Sequence, residues 1–307
     1  MNNLLITGDF HITDKIPQNR IDNFEEALLI KLNFIFETAK QNDCIILQPG
    51  DFFDSPSPSY KLFTKIVKLL NIYKRTTIYS ILGQHDLRFR NTENIASKAL
   101  EQSCKNFILL SNICLPFNNL FIYPASYNEK IPKIRDPKEF NILLIHKMIL
   151  QEKIWWEQTE YADASNFLRT NAFQLVVSGD NHQGFICDQK TTGKRLFNCG
   201  SLTRSKIDQV NHKPFIIIFD TDTKEYKQIF IPIEPPEKVF NLEKVEREKE
   251  KNENLEAFVA GLSSDKEIGL KFEDNLNAFM AEINVKSDIR QIIEEAKIWK
   301  SKLNHPI

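Results

Sequence analysis

The sequence predicts an α/β protein in which two mixed sheets are covered by helices. Three observations carry this prediction. Apolar runs of strand length alternate with stretches of helical periodicity through the first third of the chain. Successive runs end in Gly followed by polar, ligand-capable residues. The later runs follow one another across turns with little helix between them. A chain of 307 residues with 42% hydrophobic content and 23 Phe has the material for a large core.

The first strand is Leu4-Leu5-Ile6-Thr7, which runs into Gly8-Asp9-Phe10-His11. Residues 23–40 then read as a helix from the spacing of Phe24, Ala27, Leu28, Ile35 and Phe36, with Lys31 interrupting the apolar face. Cys44-Ile45-Ile46-Leu47 has the β-branched content of a buried strand and opens into Gln48-Pro49-Gly50-Asp51-Phe52-Phe53-Asp54. The Ser-Pro repeat at 55–59 signals a helix start, and Leu62, Ile66, Leu69, Leu70 and Tyr73 mark that helix. Residues 76–82 form a third strand ending at Gly83-Gln84-His85-Asp86.

Residues 92–101 read as a short helix, followed by strands near 107–110 and 120–123 and a polar loop over 128–138. Residues 141–145 form a strand ending at His146, and residues 152–170 read as a helix carrying Trp155 and Trp156, taken as packing residues. Residues 174–178 form a strand ending at Gly179-Asp180-Asn181-His182. Strands near 185–188, 194–199, 215–220 and 226–231 are expected to be antiparallel. Glu234-Pro235-Pro236 closes a domain spanning 1–235. A charged linker over 236–254 and a helical appendix over 255–307 follow, the appendix patterned by Leu255, Phe258, Leu276, Phe279, Ile289 and Ile292.

Net charge is −1, with 40 Lys+Arg against 41 Asp+Glu, so no global basic field marks the chain for nucleic acid. A metal-centred site would still draw phosphate locally. The five cysteines lack any Cys-x-x-Cys pair and read as reduced, buried thiols of a cytoplasmic protein. The start of the chain enters a strand with no basic region, which argues against a signal peptide, and no apolar run approaches the ~20 residues that span a bilayer. A soluble cytoplasmic protein is expected.

Asp9, His11, Asp51, Gln84, His85, His146, Asp180 and His182 nearly all lie just beyond predicted strands, at the edge where open α/β sheets bind ligands. Asp-x-His on an extended segment points both side chains to one side, because the strand repeat is two. Each piece alone has a plain structural account: a surface loop, a turn in which Asp54 caps the next helix, or a core histidine at 146. Jointly, four of the six His at strand ends beside Asp point to a metal site, and the His/carboxylate mixture suits manganese, iron or zinc better than calcium.

In order, Asp9-x-His11, Gly50-Asp51-x-x-Asp54, Gly83-Gln84-His85-Asp86, His146 and Gly179-Asp180-x-His182 resemble the five blocks of the calcineurin-like metallophosphoesterases, over residues 4–204. The opening Gly-Asp-x-His, Gln-Pro-Gly-Asp-Phe-Phe-Asp and Gly200-Ser201-Leu202-Thr203-Arg204 carry the resemblance further, to the SbcD-like DNA repair nucleases of bacteria and phages. It implies a four-layer αββα sandwich and two divalent ions, manganese or magnesium. Asp9, His11, Asp51 and His182 are implied to hold the first ion, and Asp51, Gln84, His146 and Asp180 the second. His85 would serve the leaving oxygen, and Asp54 and Asp86 would orient ligands.

Two positions depart from that family pattern, which has Asn in place of Gln84 and His in place of Asp180. Both fall on the second ion's ligands, and the added carboxylate favours manganese or magnesium over zinc.

Arg88 and Arg90 follow the His85 block and are candidate DNA phosphate contacts. The resemblance implies a DNA exonuclease or endonuclease subunit that processes DNA ends in recombination or repair. Its partners would be DNA and an SbcC-like ATPase docked through the helical appendix, with a homodimer as a further expectation. The short chain leaves little room for a DNA-capping domain. Two other functions remain open at this point: a stand-alone phosphatase or nucleotide phosphodiesterase, and a non-catalytic scaffold with an impaired second site.

Overall fold

The computed structural model describes residues 3–89, 91–111, 114–151, 161–206 and 209–244, together with 246, 247, 250, 253, 280, 290–293 and 295. The chain divides into two compact units, Met1–Val239 and Phe240–Ile307. The expected helix over 255–307 lies almost wholly outside the described residues, as do Trp155 and Trp156.

The first unit runs β1 (Asn3–Ile6), α1 (Phe24–Gln41), β2 (Cys44–Gln48), α2 (Tyr60–Ile72), β3 (Ile78–Ser80), α3 (Ala96–Ser103) and β4 (Phe107–Leu109). It continues with β5 (Leu115–Phe117), β6 (Leu120–Ala125), β7 (Phe140–His146), β8 (Ile149–Leu150), β9 (Ala162–Asp163) and α4 (Ala164–Thr170). The last elements are β10 (Leu175–Gly179), β11 (Phe185–Gln189), β12 (Lys194–Asn198), β13 (Phe215–Asp220), β14 (Tyr226–Phe230) and the single turn α5 (Pro236–Val239).

Local chemistry sets the helix starts. Asn23 caps α1 by accepting from Glu26 N–H at 3.2 Å, and the Glu26 carboxylate accepts from the Asn23 amide in return at 3.0 Å. Ser59 caps α2 through Leu62 N–H at 3.2 Å. One expected helix starts later than the sequence suggested, and of the other, expected over 152–170, residues 152–160 lie outside the described residues. Asn94 is left-handed at φ 57°, which holds the third helix off until Ala96. Asp163 caps Asn166 N–H at 2.8 Å, so α4 begins at Ala164, and the residues just before it pair as β9 with β8.

One sheet has the order β14-β13-β1-β2-β3-β4 and the other β11-β12-β10-β7-β6-β5. Both are mixed: β1 to β4 are parallel neighbours, and β6, β7 and β10 are parallel neighbours. The expectation of antiparallel strands after residue 185 holds for β11–β12 and β13–β14. β12 also lies parallel to β10, because the chain reverses through β11 before returning beside β10.

Alternation along each strand builds the layers. Leu4, Ile6, Ile45 and Leu47 point inward and pack with Ile142, Leu144, Leu175 and Val177 between the sheets. Leu5 and Ile46 point the other way, onto Leu28, Leu32, Ile66 and Leu70 of α1 and α2. Leu143, Ile145 and Val176 cover the outer face of the second sheet together with Phe167 and Leu168 of α4. The result is the expected αββα sandwich. Each such side chain contributes roughly 1.5–3 kcal/mol on burial. A one-residue slip of any central strand would exchange its faces, so the register of the residues beyond each strand end is firmly held.

Candidate metal centre

The C-terminal ends of β1, β2 and β3 in one sheet meet those of β7 and β10 in the other, and the polar residues beyond them converge. Asp9 and Asp51 are fully buried, and His146 is 2% exposed. Nε2 of His11 lies 2.9 Å from Nε2 of His182 and 3.7 Å from Oδ2 of Asp51. On its other side, that Oδ2 lies 3.4 Å from Nε2 of His146. Asp9 Oδ2 accepts from Asp180 N–H at 2.8 Å and lies 3.9 Å from Nε2 of His182. Gln84 donates from Nε2 to Asp180 Oδ1 at 2.7 Å and turns Oε1 toward Nε2 of His146 at 2.6 Å. All seven candidate ligands therefore share one site, with Asp51 Oδ2 between the His11 side and the His146 side.

The backbone is bent to achieve this. His11, Asp51 and Asp180 adopt left-handed φ values of 45°, 51° and 80°. Three such residues at one site, none of them Gly, store strain where the geometry of the side chains matters. Asp51 is held by tertiary bonds: its main-chain oxygen accepts from Phe10 and His11 N–H, and its Oδ1 accepts from His85 N–H at 2.8 Å. Gly50 has φ 101°, and a Cβ there would come within 2.6 Å of His146 Nδ1.

Electrostatics express a surplus of electron pairs. Burial and then the charge of Asp51 push Asp9 up to about 7. Burial alone would lower His146, but the close approach of Asp51, then the charges of Asp9 and Asp180, push it up to about 10. Burial works against Asp51, yet His146 and then His11 and His85 hold its carboxyl below the ordinary range. His11 is likewise raised against its burial, by Asp54, Asp9 and Asp51, whereas burial followed by His11 and Lys206 lowers His182 to about 3.

A cation fits this set. Asp9 Oδ1 and Asp51 Oδ2 are buried without a hydrogen-bond partner, a costly condition for carboxylate oxygens unless an ion takes them. Asp9, His11 and His182 bring one donor atom each within 4.8 Å of one another, and so do His11, Asp51 and His85. Imidazole and carboxylate oxygen together suit first-row divalent ions.

The flanking residues lie where they can orient this set. Asp54 Oδ1 lies 3.3 Å from Nδ1 of His11 and 3.8 Å from Nδ1 of His85, between the two rings. Asp86 is buried and accepts from Phe52, Phe53 and Gly83 N–H and from Ser97 Oγ, so it ties the loop after β2 to the loop after β3. Arg88 sits in a chain reversal just beyond, and Arg90 lies outside the described residues.

Sequence reasoning missed several supporting groups. The Pro49 carbonyl faces Nδ1 of His146 at 2.7 Å. Gln48, fully buried, accepts from Gly50 N–H at 3.1 Å. Lys31 donates to Leu202 O at 3.0 Å, and Arg20 donates to Arg204 O at 2.8 Å, so buried cations brace the loop after β12. The one available signal was Lys31 itself, a charge on the apolar face of a helix.

Two clefts open from the centre. One, of about 240 Å³, joins His11, His85 and His182 to Lys15, Lys206, Ser201, Thr203 and Ser205. The other, of about 510 Å³, joins Gln84, His146 and Asp180 to Tyr127, Asn128 and Lys147. All five cysteines are buried and unpaired. Among the described residues, no helix is long and apolar enough to cross a membrane.

No curated protein matches the chain. A family model of the calcineurin-like phosphoesterases matches residues 3–184, more than half of the chain and the whole ligand set from Asp9 to His182. With that match laid over buried carboxylates and imidazoles at the strand ends of a two-sheet sandwich, the chain belongs to the calcineurin-like phosphoesterases, metal-dependent hydrolases of phosphoesters.

Proposed function

We propose that the chain is a DNA nuclease subunit that hydrolyses phosphodiesters at DNA ends. The observation that carries this reading is the pair of clefts, one on the His85 side of Asp51 and one on the Gln84 side. A substrate that continues past the reacting phosphate in both directions uses both, whereas a small phosphomonoester needs only the one at His85. Lys15 and Lys206 in the first cleft suit a phosphate backbone.

Asp9, His11, Asp51 and His182 would hold one divalent ion, and Asp51, Gln84, His146 and Asp180 the other. Manganese or magnesium is favoured by the carboxylate of Asp180. When bound, the ions supply Lewis acidity to the phosphoryl oxygens and an activated water. The residues of the chain do the rest. His85, half-exposed at the cleft, places its imidazole to protonate the departing oxygen, with Nδ1 3.3 Å from the Asp54 main-chain oxygen to fix the ring. Asp51 holds both halves of the ligand set in register through Oδ2, while its Oδ1 fixes the backbone under His85.

An SbcC-like ATPase is the proposed partner, on the strength of the sequence motifs and the apolar helical pattern over 255–307. The test is manganese-dependent degradation of linear DNA, with elemental analysis of the protein. Two ions per chain and loss of both ions and activity in Asp51→Asn are expected. DNA hydrolysis that persists in Asp51→Asn, or small phosphoesters turned over much faster than DNA, would overturn the reading.

A further inference from the structure

Just beyond His85 the chain reverses tightly. Arg88 N–H donates to Asn91 O at 3.3 Å, and Asn91 N–H returns to Arg88 O at 2.8 Å. Phe89 stands at the tip with φ 51°, and 97% of its surface is exposed. Both features are unfavourable for a phenylalanine. A left-handed backbone costs an L-residue roughly 1–2 kcal/mol, and turns that need it ordinarily use Gly, Asn or Asp. A large apolar ring in water forgoes the gain of burial. Phe89 belongs to none of the three apolar clusters among the described residues.

The base of the reversal, in contrast, is firmly anchored. Asp86 accepts four hydrogen bonds, and Leu87 packs against the helix-side core. A rigid stem with a strained, solvated aromatic tip has the form of a contact surface kept ready for a ligand. Phe89 lies four positions beyond His85, a reach of at most ~14 Å when fully extended. Stacked nucleotides rise ~3.4 Å each, so the tip comes within a few nucleotides of the phosphate that His85 serves. Arg88 at the stem favours a polyanion as the occupant over an apolar protein surface.

We infer that Phe89 is a substrate-recognition residue whose ring stacks on a nucleobase of the strand being cut, with Arg88 against an adjacent phosphate. This rests on the reading of the site as a DNA phosphodiesterase. An aromatic face accepts any base, so the contact is tolerant of sequence, and stacking of this kind changes affinity by roughly five- to 150-fold per base. It would grip a base that is already unpaired, and so favours frayed or single-stranded ends over intact duplex.

The experiment is equilibrium binding of a fluorescein-labelled, phosphorothioate-linked single-stranded oligonucleotide to the full chain in manganese, repeated with abasic residues throughout the probe. Phe89→Ala is expected to weaken binding of the intact probe about tenfold, and Phe89→Trp to preserve it. Abasic substitution is expected to bring the parent down to the level of Phe89→Ala and to leave that variant unchanged. Melting of Phe89→Gly at or above the parent temperature shows that the fold does not depend on the ring, since Gly relieves the left-handed backbone. Unchanged binding in Phe89→Ala, or equal losses on intact and abasic probes, overturns the inference, the second because it shows that the ring acts independently of the bases. Hydrolysis of linear DNA is assayed on the same preparations. Base-dependent binding without hydrolysis defeats the nuclease reading and leaves the contact standing, while hydrolysis with unchanged Phe89→Ala binding defeats the contact alone.

Discussion

Oε1 of Gln84 stands 2.6 Å from Nε2 of His146, while Nδ1 of the same ring faces the Pro49 carbonyl at 2.7 Å. Both ring nitrogens thus face oxygen acceptors, and a neutral imidazole has a proton for only one of them. Burial is outweighed by the neighbouring carboxylate of Asp51, then by those of Asp9 and Asp180, which push the pKa of the ring up to about 10 and so favour a proton on both nitrogens when no ion is bound. A divalent ion at Nε2 would replace the second proton. The proton on Nδ1, directed at Pro49, would then fix the tautomer.

Metal uptake is therefore expected to release protons and to strengthen as pH rises. Asp9 gives up its proton near 7 and His146 near 10. The sign for stability follows from His146: its raised pKa stabilises the ion-free fold fully below pH 6.5, and that contribution is lost as pH rises through about 10. Melting temperature measured with chelator should fall relative to melting with manganese across that window. Calorimetry in buffers of different ionisation enthalpy would count the protons. Parallel melting curves and no proton release would contradict the ligand set.

Asp180→His exchanges a hard carboxylate for an imidazole and removes the acceptor of the 2.7 Å bond from Gln84. Manganese and zinc offered in competition, followed by elemental analysis, should show the zinc share of bound metal rising about tenfold. An unchanged ratio would place Asp180 outside the ligand set.

His85→Ala should lower kcat by ~10²–10⁴ while metal content stays as in the parent. A diester with a 4-nitrophenoxide leaving group, which departs without protonation, should lose far less. Equal losses on both substrates would mean that His85 acts on binding or on the ions, in line with its proximity to His11 and Asp51.

Lys31 supplies a prediction remote from the chemistry. Burial, then the charges of Arg204 and Arg20, lower its pKa to about 7. The folded chain sheds this proton at a pH where the unfolded chain keeps it. The penalty is therefore complete below pH 7 and is relieved as pH rises toward 10.5. Lys31→Met should raise stability near neutral and acid pH by a few kcal/mol, less about 1 kcal/mol for the lost bond to Leu202 O. Denaturant melts over that pH range should show the gain shrinking as pH rises, and a constant gain would refute the account.

Much of the site was legible from local pattern. Strand-length apolar runs followed by Gly-Asp or Gly-Gln-His announced Asp9, Asp51, Gln84, His85 and Asp180, and Asn23 and Ser59 behaved as their cap chemistry requires. The short pairings were not legible: β5, β8 and β9 are too brief for a period to register, and Asn94 delayed the start of α3 through a backbone effect that sequence pattern does not see.

The sequence by itself determined which faces each strand buries and which polar residues lie beyond its end, because a period of two is a local property. Only the tertiary structure decided that the ends of the two sheets meet. Pro49 and His146 are 97 residues apart in the chain, yet their atoms lie 2.7 Å apart. Burial of the apolar faces between the sheets brings them together, and no local signal encodes that distance. The left-handed turns at His11, Asp51 and Asp180 are held by the same long-range bonds, so the aim of the ligands is a property of the assembled sandwich.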